Sequence, residues 1–111
     1  MKEYVPEKGD FIAVTFDPQS GHEQRGRRPA LVVSNTLFNR RTGLAIVCPI
    51  TSTDRGYPFH VAITHNPDVT GFVMVEQVKS IDFQARKARL IGKASDDVLD
   101  QVLSILDACI Y

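Results

Sequence analysis

"DFIAVTFDPQSGHEQRGRRPALVVS", residues 10–34, holds two apolar segments apart with a polar one, and its reading decides the fold. Asp10 to Phe16 alternates Phe11, Ala13 and Thr15 with Ile12, Val14 and Phe16, is rich in aromatic and β-branched residues, and stops at Asp17-Pro18, as a strand does. Ala30 to Ser34 is a short unbroken apolar run, the pattern of a strand covered on both faces. Between them Gln19 to Pro29 contains Gly21 and Gly26 and almost no hydrophobic side chain, so a surface loop is expected there.

Working outward, Asn35 to Arg41 reads as one or two helical turns closed by Thr42-Gly43, and "LAIVCPITS" as a strand interrupted or ended by Pro49. "YPFHVAIT" alternates Tyr57, Phe59, Val61 and Ile63 with polar or small residues, giving a half-buried strand. Asn66-Pro67-Asp68 is a turn, "GFVMVEQVKSI" a further strand, and "ARLIGK" a shorter one. Strands joined by hairpin-length turns point to a small barrel or sandwich rather than to βαβ units. The end of the chain differs. Ser95 is an N-cap candidate, Asp96 and Asp97 sit where the helix dipole favours negative charge, and Val98, Val102, Ile105, Leu106 and Cys109 recur at helical spacing.

A chain of 111 residues is expected to form one domain, residues 1–111, with a core that needs no staples. Its formal net charge is zero, which speaks against a whole-molecule field for polyanions, yet the charge is unevenly placed. Ser20 to Arg41 carries Arg25, Arg27, Arg28, Arg40 and Arg41 against Glu23 alone, whereas Ala94 onward carries Asp96, Asp97, Asp100 and Asp107 with no lysine or arginine. Such asymmetry reads as a local binding surface. Cys48 and Cys109 read as buried small hydrophobes, with a single disulfide left open, and "MKEYVPEKGD" carries no signal-peptide pattern, so a reducing cytoplasm is favoured. No apolar stretch is long enough to span a bilayer.

Arginine suits phosphate because its planar fork donates two parallel hydrogen bonds and stays charged. Pro29 stiffens the backbone beside Arg28, so this arginine is expected to project from the start of a strand, with Arg25 and Arg27 on the loop. A solvated basic loop is the plainer reading of the same residues. "PITSTDRGYPF" adds the hydroxyls of Thr51, Ser52 and Thr53 at a strand end, which bind phosphate or merely cap a turn. "EQVKSI" places Glu76 and Lys79 late in a strand, where edge protection is the alternative role. Tyr57, Phe59 and Phe38 are expected in the core before they are expected as base-stacking platforms. His22, His60 and His65 match no metal-ligand spacing, and no Walker loop, dinucleotide fingerprint or nucleophile elbow occurs. Cys48, in an apolar strand, is poorly placed for a thiolate.

These groups suffice for one reaction without metal or cofactor. In RNA the 2′-hydroxyl attacks the adjacent phosphorus once it is deprotonated, the crowded negative charge is stabilised, and the leaving 5′-oxygen is protonated. Glu23 or His22 is a proton acceptor, Arg28 an electrostatic stabiliser, and Thr51 a hydroxyl for holding phosphate.

"YVPEKGDFIAVTFDP", "SGHEQRGRRPALVVS", "FNRRTGLAIVCPIT", "RGYPFHV" and "EQVKSIDFQAR" resemble, in order and through nearly the whole chain, the MazF/PemK family of toxins, the messenger-RNA interferases of type II toxin–antitoxin systems. The resemblance implies a mainly β fold with helices, a small SH3-like barrel of the PemK/CcdB type with a C-terminal α-helix, and a homodimer. It further implies sequence-specific, metal-independent cleavage of single-stranded mRNA, with no cofactor, to 2′,3′-cyclic phosphate and 5′-hydroxyl ends. The family's catalytic arginine falls on Arg28, its threonine on Thr51 and its loop acid on Glu23, with RNA contacts expected at Gln24, Arg25, Arg27, Ser52, Glu76, Gln77 and Lys79. Gly21 and Gly26 would hinge that loop.

The implied partner is a MazE-like cognate antitoxin whose acidic disordered tail occupies the basic groove. One branch of the family uses an arginine and an aspartate where this chain has Met74 and Glu76, which favours the MazF-type residue set. A CcdB-like gyrase poison and a non-catalytic SH3-like module binding nucleic acid or peptide are the alternative functions. The "GRRP" and "PIT" pair argues against the first of these.

Overall fold

The computed structural model describes residues 3–15 and 27–111. Among the described residues a curved seven-stranded sheet forms a half-barrel, with one short helix and one long C-terminal helix. Strands β1 (Asp10–Thr15) and β2 (Arg27–Val32) pair antiparallel with Phe11 opposite Leu31 and Thr15 opposite Arg27. Helix α1 (Thr36–Thr42) then leads into β3 (Leu44–Thr51), β4 (His60–Ile63), β5 (Gly71–Met74), β6 (Lys79–Asp82) and β7 (Arg89–Lys93), and α2 (Asp96–Ile110) closes the chain. The spatial order is β4-β5-β3-β2-β1-β7, with β6 also paired to β3.

Alternation along the central strands builds two cores. Phe11, Leu31, Cys48 and Ile50 join Val73 and the α2 residues Val98 and Val102 on one side. Ile12, Val14, Ala30, Val32, Ala45 and Val47 join Ile81 and Phe83 on the other. The unbroken apolar run at Ala30 to Val32 is thus buried on both faces, because consecutive side chains point to opposite cores.

The helix boundaries follow the capping residues. Asn35 accepts a hydrogen bond from the Phe38 N–H at 2.8 Å, and Gly43, in the left-handed region at φ 74°, ends α1. Ser95 accepts from the Val98 N–H at 3.2 Å, a cap worth about 1 kcal/mol. Pro49 does not end β3. It lies where the outer partner of β3 changes from β6, paired through Val47, to β5, paired from Ile50, a place where a strand tolerates a missing donor.

Several expectations need correcting. "GFVMVEQVKSI" is not one strand: Val73 lies opposite Ile50 and Lys79 opposite Val47, so this chain spends six residues where β3 spends three. The surplus is taken up by a 3-10 turn at Val75–Gln77, which pushes Glu76 and Gln77 out of the ladder. "YPFHVAIT" forms a strand only from His60, and Tyr57 and Phe59 are 50 % and 45 % exposed, as Phe38 is at 37 %. None of the three is a core residue, because alternation reports a buried face only while the strand lasts. Cys109 is likewise exposed, near the free end of α2, whereas Cys48 is fully buried, and both thiols are free. Among the described residues no helix is long and apolar enough to cross a membrane.

Two buried polar groups tie the N-terminal segment to the sheet. Asp10, 1 % exposed, accepts from the Tyr4 hydroxyl, from the Glu7 N–H at 3.0 Å and from Lys93 Nζ at 2.6 Å. Asn39, fully buried in α1, donates to the Pro6 carbonyl at 2.8 Å and accepts from the Ser34 hydroxyl. Each group is satisfied, as burial of polar atoms requires.

Candidate active site

Register brings the site together. Ala30 and Pro49 are the last pair between β2 and β3, and Arg28 and Thr51 each lie two residues beyond it, at the end of the two strands. The two line a pair of adjoining clefts of about 350 and 380 Å³. In the first they are joined by Arg55, Tyr57, His60, Met74, Glu76 and Gln77, and in the second by Pro29, Ser52, Thr53 and Thr70. Arg28 is exposed and Thr51 half-buried, an arrangement in which a guanidinium reaches solvent from a rigid strand.

Thr51 is held from both sides. Its Oγ1 accepts the Thr53 N–H at 3.1 Å, which leaves the hydroxyl proton free to point into the cleft. Its carbonyl packs on Gly71, where φ is +121° and a Cβ would lie 2.4 Å from that oxygen. Only glycine fits there.

The bulge at Val75–Gln77 supplies the opposite wall. Glu76 Oε2 accepts from His60 Nε2 at 3.0 Å, and the His60 ring is 3 % exposed with its Nδ1 buried and unpartnered among the described residues. The Tyr57 ring packs on His60 at 5.0 Å with a 56° tilt. Burial, and secondarily the Glu76 charge, pushes the Cys48 thiol up to about 12, so it stays protonated and is no nucleophile. Among the described residues no group of three His, Cys, Asp or Glu side chains is disposed to hold a metal ion.

Of the residues singled out by sequence, Arg28, Thr51, Ser52, Glu76 and Gln77 share the clefts. Arg27 does not. It lies in β2 rather than on a loop, and its guanidinium donates to the carbonyls of Ala13 at 3.1 Å and Lys87 at 2.7 Å, stitching β1 to the segment before β7. Lys79 is in β6 opposite Val47 and lines neither cleft. Glu23, Gln24, Arg25, His22 and the hinge candidates Gly21 and Gly26 lie outside the described residues. The His60–Glu76 pair was missed, since the partners are sixteen residues apart and nothing local marks them.

A half-barrel whose strand ends bring an arginine and a threonine into shared clefts, beside a carboxylate and an aromatic ring, defines a small β protein with one polar site at the end of its sheet. The sequence profile described as "PemK-like, MazF-like toxin of type II toxin-antitoxin system" matches residues 7–110, and the chain belongs to that family. The endoribonuclease toxin MazF of Escherichia coli (strain K12) is 37 % identical over 110 residues, covering 99 % of this chain and 98 % of that protein. The endoribonuclease toxin ChpB of the same strain is 42 % identical over 112 residues, covering 94 % and 93 %. Among solved structures, MazF of Deinococcus radiodurans in one crystal form superposes with a TM-score of 0.87 at 42 % identity over 97 % of this chain and 98 % of that one. A MazE–MazF crystal structure from the same organism superposes at 0.86, with 36 % identity over 97 % of each chain.

Proposed function

We propose that this chain is a metal-independent endoribonuclease toxin that cuts single-stranded mRNA through the substrate's own 2′-hydroxyl. The observation that carries the reading is that Arg28 of β2 and Thr51, the last residue of β3, line the same two clefts. The substrate's O2′ attacks phosphorus, a new P–O bond forms as the P–O5′ bond breaks, and a 2′,3′-cyclic phosphate and a 5′-hydroxyl result. Arg28 stabilises the negative charge that builds on the phosphoryl oxygens, a task for a group that stays protonated rather than for a proton donor. Thr51 donates its hydroxyl to a non-bridging oxygen and so sets the phosphate in line. Glu23 takes the 2′-proton, and the leaving 5′-oxygen takes a proton from solvent water.

Gln77 and Ser52, which line the first and the second cleft, extend the RNA contact from this centre, with Gln24 and Arg25 contributing from the preceding segment. Two copies in a homodimer align their basic segments along one groove, which gives a cytoplasmic protein of zero net charge a local track for the RNA backbone. A MazE-like antitoxin with an acidic disordered tail competes for that track. That MazF of Deinococcus radiodurans is solved in MazE–MazF crystal structures supports an antitoxin as the partner.

The test is incubation of purified protein with a long single-stranded transcript in excess EDTA, followed by mapping of fragment ends. Discrete cuts with 5′-hydroxyl ends are expected, lost when the riboses are 2′-O-methylated. Equal cutting of the methylated transcript would overturn the mechanism, and an intact unmodified transcript would overturn the activity.

A further inference from the structure

The His60–Glu76 pair is built to a tighter standard than an incidental surface contact. The imidazole is 3 % exposed and the carboxylate 32 %, so one partner is locked in protein while the other still faces the cleft. Because Nδ1 is buried with no partner among the described residues, the pairing calls for the tautomer carrying its proton on Nε2, which donates to Glu76 Oε2 at 3.0 Å. Backbone geometry fixes both ends: His60 pairs with Met74 across β4 and β5, and the turn that carries Glu76 is tied to the same hairpin by the Val75 N–H bonded to the Phe59 carbonyl at 3.1 Å.

A carboxylate held this way is a preorganised acceptor in a cleft whose cations, among the described residues, are Arg28 and Arg55. Phosphates are repelled by it and drawn to the arginines. What suits it is a donor, and the half-exposed Tyr57 ring, packed against His60, offers the flat face on which an unpaired base stacks.

We propose that Tyr57, His60 and Glu76 form a nucleobase subsite, in which His60 is a positioning residue that holds the Glu76 carboxylate as acceptor for the exocyclic amino group of cytosine, adenine or guanine in single-stranded RNA. Uracil is disfavoured because its two carbonyls flank its single N–H and meet the carboxylate with like charge. The subsite rests on the RNA reading above but not on cleavage, since reading a base requires no bond to break.

The experiment uses short 2′-O-methyl oligonucleotides of cytidine, adenosine or uridine, which bind without being cut. Wild-type protein is expected to bind the cytidine or adenosine oligomer about tenfold more tightly than the uridine one. His60→Leu abolishes that discrimination, His60→Gln keeps it by presenting an amide N–H in place of Nε2–H, and Glu76→Gln shifts preference toward uridine by adding a donor. A long-range ¹H–¹⁵N histidine spectrum of the wild type, which no folding defect can confound, is expected to place the His60 proton on Nε2 and to shift with the cytidine or adenosine oligomer only. Equal affinities for the three oligomers, or discrimination that survives His60→Leu, overturns the subsite. An unmodified transcript left intact beside clear discrimination overturns the nuclease reading alone.

Discussion

Arg27 and Arg28, adjacent in β2, serve different ends: the guanidinium of Arg27 donates to the carbonyls of Ala13 and Lys87, and that of Arg28 lines the cleft shared with Thr51. Consecutive residues of a strand face opposite ways, so one charge is spent on the fold and its neighbour is left for the substrate. Arg28→Ala is therefore expected to lower the cleavage rate by about two to three orders of magnitude with an unchanged unfolding midpoint. Arg27→Ala is expected to cost about 1–3 kcal/mol of stability in urea unfolding and less than a tenfold loss in rate. The reverse pattern would show that the two roles are exchanged.

Thr51 offers a sharper substitution. Thr51→Ser keeps the hydroxyl and its bond from the Thr53 N–H, and retains most of the rate. Thr51→Val keeps the shape and loses the donor, and single-turnover cleavage is expected to slow by about a hundredfold or more. Equal rates for the two variants would remove the hydroxyl from the mechanism.

Gly71 lies behind the site rather than in it. An alanine there meets the Thr51 carbonyl at 2.4 Å in a backbone conformation, φ +121°, that side-chain-bearing residues avoid. Gly71→Ala is expected to destabilise by about 1–3 kcal/mol and to slow cleavage as the end of β3 shifts. A denaturant midpoint and a rate measured on the same sample check both.

The two thiols differ in reach. In native protein a thiol reagent is expected to modify Cys109 alone, with Cys48 reacting only after denaturation. Fast labelling of both in the native state would contradict the burial of β3.

Alkaline stability follows from three raised values. Tyr4 is raised by burial and then by Asp10, Cys48 is pushed up to about 12 by burial and then by Glu76, and Lys93 is raised mainly by its hydrogen bond to Asp10. Each group binds its proton more tightly folded than unfolded, so stability is complete below the unfolded values and falls as pH rises through them. For Cys48 the window runs from about 9 to about 12. Urea midpoints measured from pH 8 upward are expected to decline, and Cys48→Ala is expected to flatten part of that slope whatever its effect on the baseline.

Much of the fold was legible because its signals are short-range. The alternation of Phe11 to Val14, the helix stop at Gly43, the cap Ser95, and the apolar spacing of Val98 and Val102 each depend on a few neighbouring residues. Arg28 and Thr51 stood out for the same reason: each sits in a marked local context, before a proline and after an apolar strand.

What the chain alone determined is which segments become strands or helices and which side chains carry charge near strand ends, because backbone propensity, capping and periodicity act over one or two turns. What only the tertiary structure decided is who meets whom. The six-for-three mismatch against β3 lifts Glu76 out of a strand and onto His60, the start of β4 only at His60 leaves Tyr57 half-exposed, and the carbonyls of Ala13 and Lys87 claim Arg27. Those outcomes depend on register and on contacts between residues far apart in sequence, energies that no local window contains.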